Sequence, residues 1–121
     1  MRIAVCFNRV PGTLKRGEEK DRISEEGAEH EAEAVMQALQ REGMMVRGIP
    51  LGESPADFMD ALVQYAPHAV FNLCEGFWGD SHLEMNVAGL FPLLSLPVTG
   101  SPAFALGFTQ DKALTKAYLA A

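Results

Sequence analysis

Residues 70–101, VFNLCEGFWGDSHLEMNVAGLFPLLSLPVTGS, contain most of the pattern from which a fold can be inferred. The mostly apolar run at 70–74 is typical of a buried strand in a parallel sheet. It stops at Glu75 and Gly76, so Glu75 is expected at the carboxyl end of a strand, where open α/β sheets bind ligands. Ser81 and Glu84 have the spacing of a capping box and predict that a helix begins there.

The predicted helix presents one apolar face, formed by Leu83, Val87, Leu90 and Leu94. Pro92 should kink or end this helix, because proline cannot donate the backbone hydrogen bond. A brief strand at 96–98 and a tight turn at 99–101 are expected to follow.

The rest of the chain alternates in the same way. We predict a strand at 2–8, a long polar connection at 9–24, a helix at 25–42 that ends at Gly43, and a strand at 44–51. Ser54 and Pro55 predict the start of the next helix, and Thr109 is expected to cap the last one. This order predicts an α/β fold, a Rossmann-like three-layer sandwich with a mainly parallel sheet.

Composition restricts the function classes. The 121 residues are 48% hydrophobic with a formal net charge of −6, which argues against a general nucleic-acid or anionic-membrane surface. No apolar run reaches the length of a membrane span and no signal peptide is evident, so a cytoplasmic protein is expected. Cys6 and Cys74 lie in apolar runs without metal-ligand spacing and are interpreted as core residues; no metal site is predicted.

Taken alone, the candidate residues support two interpretations each. Glu75 either faces a ligand or accepts hydrogen bonds from the amides of its own loop. The acidic run EEGAEHEAE at 25–33 is either a solvated helix face or the source of a carboxylate in a cleft. Lys112 and Lys116 share a helix face, which is also common for surface lysines. No phosphate-binding glycine motif follows the first strand.

A resemblance changes this balance. Four pieces of the chain, in order and at similar spacing, resemble the amino-terminal, pre-ATP-grasp domain of D-alanine–D-alanine ligases and their ATP-grasp relatives. The pieces are Glu75-Gly76, the LPVTGS turn at 96–101, Asp111-Lys112 and Lys116. The resemblance covers roughly residues 68–120 well and residues 1–50 in topology. It implies a domain at 1–108 and, at 109–121, the start of a helix leading to an ATP-grasp region.

The resemblance implies an ATP- and magnesium-dependent ligase acting on a small amino-acid substrate, with a role in peptidoglycan biosynthesis. Glu75, Gly76 and nearby amides are expected to face the first substrate or the transferred phosphoryl group, and Glu75 to bind a substrate ammonium. Ser101 is implied as a substrate-binding residue and Lys112 as a nucleotide-binding residue. The family's substrate-holding glutamate on the first helix matches either Glu25 or Glu29, and both remain candidates.

Departures from the family pattern leave other functions open. The family usually has His-Gly where this chain has Glu75-Gly76, and it has a tyrosine where this chain has Val98. The alternatives are an ATP-grasp ligase for another amino acid or peptide, and a non-catalytic α/β binding module. The chain is expected to be a piece of a longer protein and to be inactive alone. Surplus apolar residues on the third helix further predict a homodimer: Met85, Val87, Leu90, Phe91, Leu93 and Leu94.

Overall fold

The computed structural model describes residues 1–9, 18–77, 79–100 and 103–120, excepting the side chains of 18–26, 104 and 108–110. Three strands lie in this part of the chain: β1 (Arg2–Asn8), β2 (Met45–Leu51) and β3 (Ala69–Asn72). Five helices accompany them: α1 (Glu18–Arg41), α2 (Pro55–Tyr65), α3 (Glu84–Leu93), α4 (Ala103–Gln110) and α5 (Lys112–Ala120). A short 3₁₀ turn, Ser81–Leu83, leads into α3.

The three strands form one parallel sheet in the order β2-β1-β3. The central strand β1 pairs Asn8 with Leu51 on one side and Cys6 with Asn72 on the other. An isolated parallel bridge joins Val70 to Val98 beyond β3. The carboxyl ends of all three strands therefore lie along one edge, which we call the carboxyl edge; the opposite edge is the amino edge.

Alternation along β1 divides the core between two faces of the sheet. Ile3, Val5 and Phe7 pack with Ala32 of α1. Ala4 and Cys6 point to the other face and pack with side chains from α2 and α3, including Phe58, Leu62, Val87 and Phe91. Helices thus cover both faces, and the predicted α/β three-layer fold is confirmed.

Both cysteines are buried, as predicted, and neither forms a disulfide. Burial raises the pKa of the Cys74 thiol to about 12. Burial also raises the pKa of the Cys6 thiol strongly, with a smaller contribution from Cys74. Both thiols therefore stay protonated at neutral pH and pack as small apolar groups.

Local signals predicted several helix ends correctly. Gly43 follows α1 with φ 85°, a conformation that glycine adopts without strain. Ser54 accepts a hydrogen bond from the Asp57 amide at 3.1 Å, and Pro55 is the first residue of α2. Leu93 ends α3 one residue after Pro92, in agreement with the predicted effect of that proline.

Other expectations were wrong. The first helix begins at Glu18, so residues 18–24 belong to α1 and not to a connection. The expected capping box does not form: Asp80 caps the 3₁₀ turn by accepting from the His82 amide, and α3 begins at Glu84 without a side-chain cap. Residue 109 lies within α4, and the last helix follows Asp111, whose Oδ1 accepts from the Leu114 amide at 2.9 Å.

The expected strand at 96–98 is reduced to the single bridge at Val98. Among the described helices, none is long and apolar enough to cross a membrane. On α3, Val87 and Phe91 are buried while Met85 and Leu93 are 40% and 78% exposed. That exposed surface agrees with the surplus of apolar residues, and the homodimer stays a prediction.

Candidate functional site

Polar side chains end two of the three strands at the carboxyl edge. Asn8 ends β1 and Asn72 ends β3. The Asn72 amide donates to Thr99 Oγ1 at 3.0 Å, and Asn72 Oδ1 accepts from the Cys74 amide at 3.0 Å. These bonds turn the chain out of β3 into residues 73–77, which we call the Glu75 loop.

The Glu75 loop directs its backbone donors into the protein. Four of its amides donate to acceptors within the chain: Leu73 to the Cys6 carbonyl (2.7 Å), Cys74 to Asn72 Oδ1 (3.0 Å), Glu75 to Asn8 Oδ1 (2.8 Å) and Phe77 to the Asp80 carbonyl (3.3 Å). A site that stabilises a developing oxyanion needs backbone donors aimed outward. These four amides are therefore not available as oxyanion donors in this conformation, and the expectation that Gly76 and nearby amides face the first substrate or a phosphoryl group stays a prediction.

Asn8 holds the loop at two points. Its Oδ1 accepts from the Glu75 amide and its Nδ2 donates to the Gly76 carbonyl, each at 2.8 Å. Asn8 is only 9% exposed. Gly76 is buried too, and a Cβ added there would lie 2.5 Å from the Asp80 carbonyl oxygen. The backbone at Glu75 and Gly76 is therefore tightly fixed.

Two carboxylates lie near this fixed backbone. The Glu75 residue is exposed, and Glu84 in the first turn of α3 is partly buried. Burial raises the pKa of the Glu84 carboxyl, and the negative charge of Glu75 raises it further. The electrostatic effect of one on the other shows that they share a local environment. This part of the edge favours a cationic ligand group and disfavours a phosphate.

Glu29 reaches the same edge from the opposite face of the sheet. Its Oε1 accepts from Arg9 Nε at 3.1 Å, and Arg9 follows β1 directly, with its amide bonded to the Leu51 carbonyl. The charge of Glu29 is thus paired with a cation. Glu25 lies one helical turn earlier on α1, and its side chain is outside the described residues. Both glutamates remain candidates for a substrate contact.

The remaining predicted residues are not brought to the Glu75 loop by any described contact. Lys112 is exposed in the first turn of α5, a helix that packs on α4, which in turn packs on α3. Ser101 lies outside the described residues. The described part of the chain contains no group of three or more His, Cys, Asp or Glu side chains that could hold a metal ion.

An apolar pocket of about 230 Å³ opens beside the loop. Phe77 contributes one wall, and Leu51, the register partner of Asn8, contributes another. Pro55 of α2 and Leu83, Asn86, Val87 and Leu90 around α3 complete its lining. The carboxyl edge thus combines carboxylates with apolar surface.

Sequence reasoning proposed Glu75 and Gly76 as site residues and did not propose Asn8 or Glu84. A polar residue that ends an otherwise apolar strand is the signal that could have identified Asn8. No comparable local signal existed for Glu84, because its proximity to Glu75 depends on how α3 packs against the sheet.

Comparison with known proteins confirms the resemblance inferred from the motifs. The chain is 38% identical over 88 residues to the D-alanine–D-alanine ligase of a Caulobacter species, which is 73% of this chain and 26% of that enzyme. It is 37% identical over 86 residues to the ligase of Moorella thermoacetica, covering 71% and 26% of the two chains. For the ligase of Paramagnetospirillum magneticum the identity is 31% over 87 residues, covering 72% and 28%.

The chain therefore spans about a quarter of the length of these curated relatives. No protein-family model matches it. No solved structure gives a significant match.

Proposed function

We propose that this chain forms the substrate-cleft domain of an ATP-dependent carboxylate–amine ligase of the D-alanine–D-alanine ligase type, in which Glu75 binds the ammonium group of an amino-acid substrate. The observation that carries the proposal is the Glu75 loop, which directs its amides inward while the Glu75 residue remains exposed. Similarity to three bacterial D-alanine–D-alanine ligases supports the reaction class.

The charge at the site supports an amine over an anion as the ligand group. Glu75 and Glu84 are both acidic, and the Glu84 pKa is raised partly by Glu75. A bound ammonium would relieve that repulsion, because a cation placed near two carboxylates stabilises their charged forms. A phosphate or a free carboxylate would meet the same charges and be repelled.

The carboxyl edge does not fit ATP with its magnesium ions. Backbone donors of the kind that bind phosphates are occupied at four positions of the Glu75 loop, and the described residues contain no metal-ligand group of three. We propose that the nucleotide and Mg²⁺ are held chiefly elsewhere in the enzyme, with Lys112 as the contribution of this chain. This chain binds and orients the amine-bearing substrate.

Glu75→Gln tests the proposal in the full-length protein encoded by the gene that contains this sequence. We expect kcat/KM for the amine-bearing substrate to fall by about tenfold to 150-fold, since a hydrogen bond to a charged group contributes about 1.5–3 kcal/mol. The melting temperature should change little, because glutamine preserves the shape of the side chain. Rates are measured as amino-acid-dependent ADP release across a panel of D- and L-amino acids.

Glu42→Gln is the matched control, since it removes another exposed carboxylate, just beyond the end of α1. Wild-type kinetics of Glu75→Gln with every substrate would remove Glu75 from the site. A full-length protein without amino-acid-dependent ADP release would favour a non-catalytic binding module. The 121-residue chain alone is expected to release no ADP, and release by the purified chain would contradict its assignment to one wall of the site.

A further inference from the structure

Asn8 has no proposed contact with the substrate, yet its side chain holds the loop that carries Glu75. It is buried at the end of the central strand, and both ends of its amide are used on one loop. The residue it holds at one point, Glu75, carries the carboxylate proposed to bind substrate. The residue it holds at the other, Gly76, has no room for a side chain.

We infer that Asn8 is a positioning residue that sets the direction of the Glu75 carboxylate toward the amine of the substrate. This inference rests on the proposed function of Glu75. An exposed glutamate rotates about several bonds, so its carboxylate can be aimed only if the backbone that carries it is fixed. The two 2.8 Å bonds from one rigid amide fix two successive residues of that backbone relative to β1.

The side-chain chemistry at position 8 is restricted by these bonds. One atom must accept a hydrogen from the Glu75 amide while a second donates to the Gly76 carbonyl. A primary amide meets both requirements, whereas an ionised aspartate accepts at both atoms and donates at neither. Leucine has a similarly branched but larger side chain and satisfies neither partner, which leaves two polar backbone groups unpaired.

The test measures binding of D-alaninamide to the full-length protein encoded by the gene that contains this sequence, by titration in ¹⁵N-resolved NMR spectra. This probe carries an ammonium group and lacks the carboxylate that Glu75 would repel. Wild type, Asn8→Leu, Asn8→Asp and Glu75→Gln are compared. We expect Asn8→Leu to weaken binding about tenfold, the equivalent of one to two hydrogen bonds, while most amide signals outside the Glu75 loop keep their positions.

Asn8→Asp separates positioning from charge. An added negative charge near the site should strengthen binding of a cation if only electrostatics matter. If position matters, repulsion between the new carboxylate and the Gly76 carbonyl displaces the loop, and binding weakens despite the charge. We expect weaker binding, by several-fold, together with shifted signals of Glu75 and Gly76.

His68→Leu is the matched control. It removes the imidazole nitrogen that accepts from the Arg2 amide at 2.9 Å, a side-chain bond to the other end of the same strand. The control should bind the probe as wild type does. Equal binding by wild type and both Asn8 variants would overturn the inference and leave the proposed function standing. Absence of wild-type binding at Glu75 would overturn both, and tighter binding by Asn8→Asp would assign the effect to charge alone.

Discussion

The two edges of the sheet use polar side chains for opposite purposes. At the amino edge, the Arg2 guanidinium donates to the Ala66 carbonyl through Nε at 3.1 Å and Nη2 at 2.8 Å. The Arg2 and His68 backbones are joined as well, since the His68 amide donates to the Arg2 carbonyl. The charged Arg2 side chain is thus used within the fold, where it holds Ala66 ahead of β3.

At the carboxyl edge, a neutral side chain does the corresponding work. Asn8 ties the end of β1 to residues that follow β3, and the charged Glu75 remains exposed. A buried amide holds backbone without the desolvation cost of a buried charge. The difference indicates that the carboxyl edge leaves a charge available to a ligand, while the amino edge uses its charge within the fold.

The largest expected effect comes from Gly76→Ala, which breaks the carboxyl edge directly. The new Cβ would lie 2.5 Å from the Asp80 carbonyl oxygen, and backbone atoms cannot rotate away as a flexible side chain can. Overpacking of this kind costs about 1–3 kcal/mol. Urea unfolding followed by circular dichroism should show the loss as a lower midpoint with an unchanged slope.

Gly27→Ala is the control for that substitution. Nothing lies within 4 Å of a Cβ at Gly27, which is inside α1. Alanine is favoured over glycine by about 1 kcal/mol in a helix interior, so this variant should be more stable than wild type. Equal stability of the two variants would show that the loop around Gly76 can relax.

The next effect concerns the amino edge. Arg2→Met should lower the free energy of unfolding by about 1 kcal/mol, since it removes two hydrogen bonds to a carbonyl that water can still reach. Binding of D-alaninamide should not change. Arg41→Met, which loses a 3.3 Å bond to the Gln37 carbonyl within one helix, should cost less. Weaker probe binding by Arg2→Met would show that the two edges are coupled and would break the comparison.

Local signals explain why much of the fold was predictable. The apolar run of β1, the Ser54-Pro55 helix start and the glycine after α1 each act through neighbouring residues, so the sequence displays them directly. The start of α1 was missed because residues 18–24, EEKDRIS, lack apolar periodicity, although the two glutamates, the lysine and the arginine among them favour a helix. Asp80 was missed as a cap because Ser81, one residue later, satisfies the same spacing rule with Glu84.

The site was less predictable because its geometry depends on residues far apart in the chain. Glu75 could be proposed from its place after a strand. The role of Asn8 could not, since it depends on hydrogen bonds to Glu75 and Gly76, which lie 67 and 68 positions later in the chain. Register between β1 and β3 creates that contact, and register is set by the packing of the whole sheet.

The smallest expected effect concerns Glu84, whose pKa is raised first by burial and then by Glu75. Glu75→Gln removes the second cause and leaves the first. The pKa of the Glu84 carboxyl should therefore fall in that variant but stay above the ordinary glutamate value. Side-chain NMR titration measures the Glu84 pKa in wild type and in Glu75→Gln. An unchanged Glu84 pKa would show that the two carboxylates do not interact and would weaken the case for a shared ammonium site.

The raised pKa also fixes the sign of a stability change. Between the ordinary glutamate pKa and the raised one, the folded chain binds more protons at Glu84 than the unfolded chain, so its contribution to stability falls as pH rises through this window. Glu84→Gln removes that loss. At neutral pH the variant should be slightly more stable than wild type, within the roughly 0.5 kcal/mol typical of surface substitutions, and below the ordinary pKa the two should be equal.

A negative charge in the first turn of α3 would instead stabilise the helix if the effect of the helix dipole dominated. A less stable Glu84→Gln at neutral pH would therefore show that the Glu84 charge stabilises α3, and of this pair only Glu75 would remain argued for the ligand.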